Sequence, residues 1–246
     1  MAHPLDQIRP ARRQTLSDQV YDTLSEMLLS GALRPRDRLS LRDLAKRLEV
    51  SMMPVREAVS RLAASGALDV SPKRAVMVPL MTAAEFADLT MVRMVNEGHA
   101  ARLAAARASK TERVGVVALA ERFDEVLDRA YGSAAAVAAN KDLHFALYRA
   151  AGSPALLDVI TMLWLKAGPI INFDIGVAAS VPDEAEVSRS RSHHSRAHHR
   201  MLCEALEARD GNAAAHAISE DIRVASDLIR ARGAMDNEDN WRRIIP

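Results

Sequence analysis

Two pairs of polar side chains are spaced so that helices would bring them together. Asn140 and His144 are four residues apart, about one helical turn. His199 and Asp221 each lie 11 residues from Asp210, so a helical hairpin turning there places them level, about 16 Å along each helix from the bend. Two imidazoles, a carboxylate and an amide oxygen can hold Zn²⁺, Mn²⁺ or Ni²⁺. The spacing therefore groups the four residues, as either a divalent transition-metal site or a hydrogen-bonded polar cluster.

Three further polar residues are candidates for binding a small molecule. Arg93 and Asn96 lie about one turn apart on an otherwise apolar helix. Arg93 has two interpretations: a surface ion pair with Glu97, or a guanidinium that faces a cavity and binds an organic acid. Asn172 is predicted to line the wall of the same cavity.

Histidines are dense just before and at His199, but a single helix does not turn them all to one side. We expect His199 to face inward because Leu202 continues its apolar stripe. The other three are predicted to lie on the surface or at the cavity rim: His193, His194 and His198.

The N-terminal part is predicted to be a small DNA-binding domain. Residues 1–16 have the composition of a flexible arm, and residues 17–80 indicate three short helices, capped by Ser17, Ser40 and Ser51, followed by two extended stretches around a basic tip. This order is typical of a winged helix-turn-helix, whose third helix enters the major groove. The predicted DNA-contacting residues are Arg42, Lys46, Ser51, Met52, Met53, Arg56, Lys73 and Arg74.

Residues 81–232 indicate one helix after another. The expected spans are 83–108, 111–131, 133–150, 154–175, 184–208 and 212–232, and residues 233–246 form a tail. The expected fold is therefore mainly α: an N-terminal winged helix-turn-helix followed by an all-α antiparallel helical bundle of about six helices.

Composition places the chain among cytoplasmic proteins. The 246 residues include one cysteine, and we find no signal peptide and no apolar run long enough to cross a bilayer, so we expect no membrane partner. Residues 1–80 hold 13 Lys and Arg against 9 Asp and Glu, while the remainder holds 20 against 23. This asymmetry indicates that the N-terminal part is the one that contacts phosphate.

The segments Gly31–Pro35, Leu39–Leu48, Val50–Ala58 and Leu62–Leu68 resemble the GntR family of bacterial transcription regulators. The resemblance implies that Arg42, Ser51 and Arg56 match positions that contact DNA. This chain departs from the family at Met52 and Met53, where Arg and Thr are usual. It also has Ala75 where the wing tip usually has Gly. These departures leave the operator sequence open.

The segments Arg93–Glu97, Ala100–Ala105, Asn140–Ala151 and His199–Asp210 resemble the FadR-type effector domain known as FCD. Many such domains carry an Asp and a His four residues apart and two further His. The matching positions here are Asn140, His144, His199 and Asp221. The resemblance implies effector binding inside the bundle, a small carboxylate as effector, and a homodimer.

We therefore predict a ligand-responsive regulator, not an enzyme. It would be a repressor that a small organic acid releases from a palindromic stretch of double-stranded DNA. The alternative is a metal-dependent enzyme with an accessory DNA-binding domain, but the sequence contains no nucleophile elbow, no Gly-rich phosphate loop and no His-Glu-x-x-His motif.

Overall fold

The computed structural model describes residues 15–71, 75–130, 133–180 and 185–231, with the backbone alone for 173–180 and 185–191. The first of these ranges and the start of the second form a small N-terminal domain. Its elements are α1 (Leu16–Leu29), β1 (Arg38–Leu39), α2 (Leu41–Arg47), α3 (Met52–Ala64), β2 (Asp69–Val70) and β3 (Val76–Met77). The strands form an antiparallel sheet in the order β1-β3-β2. The predicted winged helix-turn-helix is confirmed, and β1 is an additional strand.

Helix α1 begins two residues earlier than predicted. Its N-cap is Thr15, whose side chain accepts the N–H of Asp18, while the Asp18 carboxylate accepts the N–H of Thr15. The expectation that Ser17 caps this helix was wrong because Asp18 completes a capping box with Thr15. Ser17 is instead buried within the first turn.

The turn between α2 and α3 is tight and carries a left-handed residue. Glu49 has a φ of 55°. The N–H of Val50 then donates to the Ala45 carbonyl at 3.0 Å, which closes a Schellman motif at the end of α2. Ser40 and Ser51 are the N-cap residues of α2 and α3, as predicted. Helix α3 buries Val55, Val59 and Leu62 against the rest of the domain.

The remaining described residues form six helices, as expected. They are α4 (Ala83–Arg107), α5 (Lys110–Ala130), α6 (Ala134–Ala150), α7 (Pro154–Ser180), α8 (Ala185–Glu207) and α9 (Gly211–Ala231). Helix α4 packs against α6, α7 and α9, and α8 packs against α9. The hairpin between α8 and α9 turns at Asp210, whose Oδ1 accepts the N–H groups of Asn212 and Ala213 at 2.9 Å. This confirms the turn predicted there.

Helix α7 has one property that the sequence reasoning missed. Its stretch Pro154–Asn172 is long and apolar enough, by length and composition, to cross a membrane, so the expectation that no such run exists was wrong. Half of its most apolar window is buried inside the protein. The apolar residues of this stretch include Ile160, Trp164 and Leu165, which lie in the core.

Candidate metal and effector cavity and DNA-binding face

The predicted DNA-contacting residues of α2 and α3 lie mostly on the surface. Arg42, Lys46, Ser51 and Arg56 are exposed, and Met53 is 73% exposed, whereas Met52 is half-buried. The Ser51 side chain makes no capping hydrogen bond, so its hydroxyl is available to another acceptor or donor. Lys73 and Arg74 fall outside the described residues.

Arg61, a further cation of α3, has a different role. Its Nη1 donates to Asp18 Oδ1 at 2.8 Å, and its guanidinium lies 4.1 Å from the centre of the Tyr21 ring. Both partners belong to α1. Arg61 therefore fixes α3 against α1, while Arg56 remains directed to solvent at the other end of the helix.

The structure brings together three of the four predicted metal ligands. His144 of α6, His199 of α8 and Asp221 of α9 place ligand atoms within 4.8 Å of one another. Asp221 Oδ2 lies 3.5 Å from His144 Nε2 and 3.8 Å from His199 Nε2. All three residues are buried. Asn140, one turn before His144, is half-buried and lines the same cavity as His144 and Asp221.

The buried nitrogens of this cluster lack hydrogen-bond partners. His144 Nε2 and both ring nitrogens of His199 are enclosed and make no hydrogen bond in the structure. Burial lowers the pKa of His144 to about 3, so its imidazole is neutral near pH 7. Burial would raise the pKa of Asp221, but the imidazoles around it, His199 foremost, outweigh burial and hold this pKa below its ordinary value. The cluster thus combines the neutral imidazole of His144 with the carboxylate of Asp221, two forms that bind metal.

A second buried network supports the cluster from one side. Glu97 is fully buried, its Oε1 accepts from Arg93 Nε at 2.7 Å, and its Oε2 accepts from Trp164 Nε1 at 3.0 Å and from the Tyr148 hydroxyl. The Tyr148 hydroxyl also lies 2.9 Å from His144 Nδ1. This contact holds the His144 ring so that Nε2 faces Asp221.

Arg93 does pair with Glu97, but the pair is not on the surface. The two side chains are 6% and 0% exposed, so the surface-pair interpretation was wrong. Burial alone would lower the pKa of Arg93, but the Glu97 carboxylate outweighs it and the pKa is raised. Arg93 also lines the cavity, at the opposite end of the network from His144.

The cavity is small, with a free volume of about 50 Å³, and its mouth is open to solvent. Its polar lining comes from four helices and includes Arg93, Asn140, His144, Ser195 and Asp221. Its apolar lining is Phe123, Leu127, Ala136, Trp164, Ile171, Ile222 and Ala225. A mainly apolar wall with a few convergent polar groups is the usual form of a small-molecule site.

The other two predicted effector residues lie elsewhere. Asn96 is not among the cavity-lining residues, and its Nδ2 donates to the Val92 carbonyl of its own helix at 2.8 Å. Asn172 is buried, and its Nδ2 donates to the Leu29 carbonyl at the end of α1, also at 2.8 Å. Asn172 therefore joins the bundle to the N-terminal domain.

The contact between the two domains involves α6 and α7, which also supply the cavity wall. Gly168 of α7 approaches the Leu28 carbonyl so closely that a Cβ there would lie 3.0 Å from the oxygen. Lys141 of α6 pairs with Glu26 of α1. Lys141 directly follows Asn140 in the chain. Movement of either helix at the cavity would therefore change a contact with α1.

Sequence reasoning missed four residues of this region: Glu97 as a buried acceptor, Tyr148, Trp164 and His198. His193 and His194 are exposed as expected, but His198 is 13% exposed and places Nδ1 3.8 Å from Asp221 Oδ1. The spacing of Arg93 and Glu97 was a usable signal, because a helical pair on an apolar face is directed to the core.

Exposed basic groups on a winged helix, together with a polar cavity in an attached helical bundle, define a class of protein: a DNA-binding regulator with a ligand-binding domain. The comparison with family models agrees. Residues 16–78 match the model of bacterial regulatory proteins of the gntR family, and residues 88–224 match the FCD domain. The chain belongs to the GntR family of transcription regulators, with an FCD domain.

Similar proteins include regulators from two bacteria. The HTH-type transcriptional regulator McbR of Escherichia coli is 27% identical over 206 residues, 84% of this chain and 89% of that protein. A probable D-xylose utilization operon transcriptional repressor of Paenarthrobacter nicotinovorans is 28% identical, over 85% and 87% of the two chains. The solved structure of E. coli McbR/YncC has a TM-score of 0.76 and 25% identity, covering 89% of this chain and 99% of that one.

Proposed function

We propose that this regulator is a cytoplasmic repressor controlled by a divalent metal and a small carboxylate bound together in the bundle cavity. The observation that carries this proposal is the set of buried, unpartnered nitrogens of His144 and His199 facing the Asp221 carboxylate. Buried polar atoms without partners are rare in proteins, and a missing ion is one of their ordinary explanations.

The donor set fits a transition metal. Ligands at about 2.0–2.1 Å from a tetrahedral zinc lie about 3.3 Å apart, and Asp221 Oδ2 lies 3.5 Å and 3.8 Å from the two imidazole nitrogens. Small side-chain movements would close the site. His144, His199 and Asp221 would hold the ion, with Asn140 beside them.

The neighbouring groups of the cavity suit an anionic effector. A metal held by these residues would offer its open coordination position to a carboxylate. Arg93 lines the cavity. Its Nε and Nη2 donate hydrogen bonds to the Glu97 carboxylate, and its Nη1 makes no hydrogen bond to Glu97. This guanidinium would then bind the second charged end of a dicarboxylate or a hydroxyl group beside the acid.

Effector binding would reach the DNA-binding domain through α6 and α7. Both helices line the cavity with His144 and Trp164 and contact α1 through Lys141 and Asn172. An effector that binds more tightly to one arrangement of these helices increases the fraction of molecules in that arrangement. The position of the N-terminal domain relative to the bundle then changes with it. Repression ends when the favoured position no longer matches the operator.

A palindromic operator requires two winged helices, and α4 offers a surface for a dimer. Its outer face exposes Met91, Val92 and Val95, by 59%, 37% and 68%. We assign this face to the contact with a second copy. Val95→Glu should give a monomer in sedimentation experiments, while Val114→Glu on α5, where valine is 58% exposed, should leave the dimer intact.

The DNA-binding role is tested with Arg56. An operator is first selected from random-sequence DNA with the full-length protein, and its affinity is then measured by fluorescence anisotropy. Arg56→Ala should weaken binding about 5- to 150-fold, because a lost guanidinium contact is worth about 1–3 kcal/mol. Arg129→Ala, a charge-matched change on the exposed side of α5, should have no effect.

The effector role is tested on the same complex. Zinc-loaded protein bound to its operator is titrated with lactate, malate and succinate. At least one carboxylate should lower operator affinity in the wild type but not in the His199→Ala variant. Equal affinity in all conditions would contradict control by a metal-bound carboxylate while leaving the DNA-binding role intact.

A further inference from the structure

The carboxylate of Asp221 is surrounded by three imidazoles, and only two of them belong to the metal-ligand cluster. Oδ2 faces His144 Nε2 and His199 Nε2 at 3.5 Å and 3.8 Å. Oδ1 faces a different group, His198 Nδ1, at 3.8 Å. The two oxygens of one carboxylate are thus directed to two different sets of partners.

His198 is partly buried, and its ring nitrogen Nδ1 lacks a hydrogen-bond acceptor. Its side chain is 13% exposed, and its Nδ1 is enclosed without a hydrogen-bond partner. Asp221 Oδ1 is the carboxylate oxygen that faces it. A side-chain movement of less than 1 Å would bring this pair to hydrogen-bonding distance.

His198 is not placed as a ligand of the same ion. The atoms that lie within 4.8 Å of one another come from His144, His199 and Asp221, and His198 is outside this trio. It also directly precedes His199 on α8, so the two rings approach Asp221 from different sides.

We propose that His198 is a positioning residue for the metal centre: its Nδ1–H donates to Asp221 Oδ1 and orients Oδ2 toward the ion. This inference rests on the proposed metal site. A carboxylate ligand that turns freely loses affinity for its metal, and a hydrogen bond to its second oxygen prevents that rotation. Removal of such an outer partner typically costs 10–100-fold in metal affinity.

The experiment measures metal affinity and ligand geometry in the untagged, full-length protein after metal has been stripped with a chelator. Zn²⁺ affinity is determined by competition with a chromogenic chelator, and Co²⁺ absorption bands report the number and type of ligands. The variants are His198→Ala, His198→Asn, His194→Ala and His199→Ala. Asparagine keeps an N–H close to the place of Nδ1, and His194 is an exposed histidine one turn earlier on the same helix.

We expect His198→Ala to raise the Zn²⁺ dissociation constant about 10–100-fold with unchanged Co²⁺ band positions. His198→Asn should restore most of the affinity, and His194→Ala should behave as wild type. His199→Ala should lose the metal, which tests the site itself. Circular dichroism of the metal-free variants verifies that each remains folded.

Two results would overturn the positioning role while leaving the metal site in place. One is a wild-type affinity in His198→Ala. The other is a changed Co²⁺ spectrum in His198→Ala without rescue by asparagine, which would make His198 a direct ligand. A wild-type protein that binds neither ion would instead overturn the metal site, and the role of His198 with it.

Discussion

Asn172 donates its side-chain amide to the Leu29 carbonyl across a distance of 2.8 Å, and this hydrogen bond joins helix α7 to the end of helix α1. The same helix presents Trp164 and Ile171 to the bundle cavity. One helix therefore contacts both the candidate effector site and the domain that carries the predicted DNA-contacting residues. Helix α7 alone is therefore sufficient to connect the cavity with the N-terminal domain.

The close approach of Gly31 to Asn172 predicts that a single added methyl group strongly destabilises the protein. Gly31 has a φ of 73°, and a Cβ there would lie 2.5 Å from the Cβ of Asn172. We expect Gly31→Ala to destabilise the protein by about 2–4 kcal/mol, since left-handed strain and overpacking add. Urea unfolding of the purified variant measures the loss.

Substitutions at two other glycines distinguish backbone strain from overpacking. Gly152 has a φ of 64° with nothing within 4 Å of a Cβ, so Gly152→Ala should cost about 1 kcal/mol through strain alone. Gly115 lies inside α5 with open space around it, so Gly115→Ala should stabilise by up to about 1 kcal/mol. Equal costs at Gly31 and Gly152 would show that the contact with Asn172 is unimportant.

The buried pair of Arg93 and Glu97 predicts a strong response to loss of one charge. Glu97→Gln keeps the shape of the side chain but leaves a buried guanidinium without its counter-charge, which should cost about 3–5 kcal/mol. The matched control is Glu220→Gln, which breaks an exposed pair with Arg223 and should cost less than about 1 kcal/mol. Thermal unfolding of the two variants measures the difference.

The metal-free protein should lose stability in mild acid because of His144. Its pKa is lowered to about 3 by burial, so below about pH 6.5 the unfolded chain binds a proton that the folded chain does not. The free energy of unfolding therefore decreases as pH falls, by about 1.4 kcal/mol between pH 7.5 and 5.5. The lowered pKa of Asp221 acts in the same direction, but at more acidic pH.

This contribution is measured by urea unfolding at the two pH values. His144→Asn should show a smaller loss than the wild type by about 1.4 kcal/mol. The same exchange at the exposed His193 should leave the wild-type loss in place. If all three proteins lost the same unfolding free energy between pH 7.5 and 5.5, a buried, neutral His144 would be contradicted.

Trp164 should report directly on the occupancy of the cavity. Its ring lies 5.4 Å from the His144 ring, and its Nε1 donates to Glu97. The chain has two tryptophans, so a paramagnetic ion such as Co²⁺ at His144 should quench the signal of Trp164. In the Trp241→Phe variant, where Trp164 is the remaining tryptophan, Co²⁺ should still quench the fluorescence. Fluorescence of this variant that does not respond to Co²⁺ would place the ion away from Trp164.

The helices could be predicted because they follow from periodicity, and three of the four candidate metal ligands could be grouped because the family resemblance and the helical spacing agree on them. The symmetry of His199 and Asp221 about Asp210 gave their juxtaposition, since two helices joined by a tight turn stay in register. The burial of Glu97 depends on Trp164, which is 67 residues away in the chain. No local pattern encodes such a long-range contact.

The misplaced residues have equally physical reasons. Asn172 was predicted to line the cavity, but helix α7 has two buried faces, and the face that carries Asn172 packs on α1. The apolar run Pro154–Asn172 has the same origin, because a helix buried on two sides carries few polar residues. Strand β1 contains two residues, too few for any alternation to be recognised.

The most direct test of a metal-centred regulator is the metal content of the protein itself. Untagged protein, purified without chelator, is analysed by elemental mass spectrometry beside the double variant His144→Ala with His199→Ala. We predict close to one transition-metal ion per wild-type chain and none in the variant. A wild-type protein without metal, even after incubation with Zn²⁺ or Ni²⁺, would contradict the metal centre and leave Arg93 as the cation available to an effector.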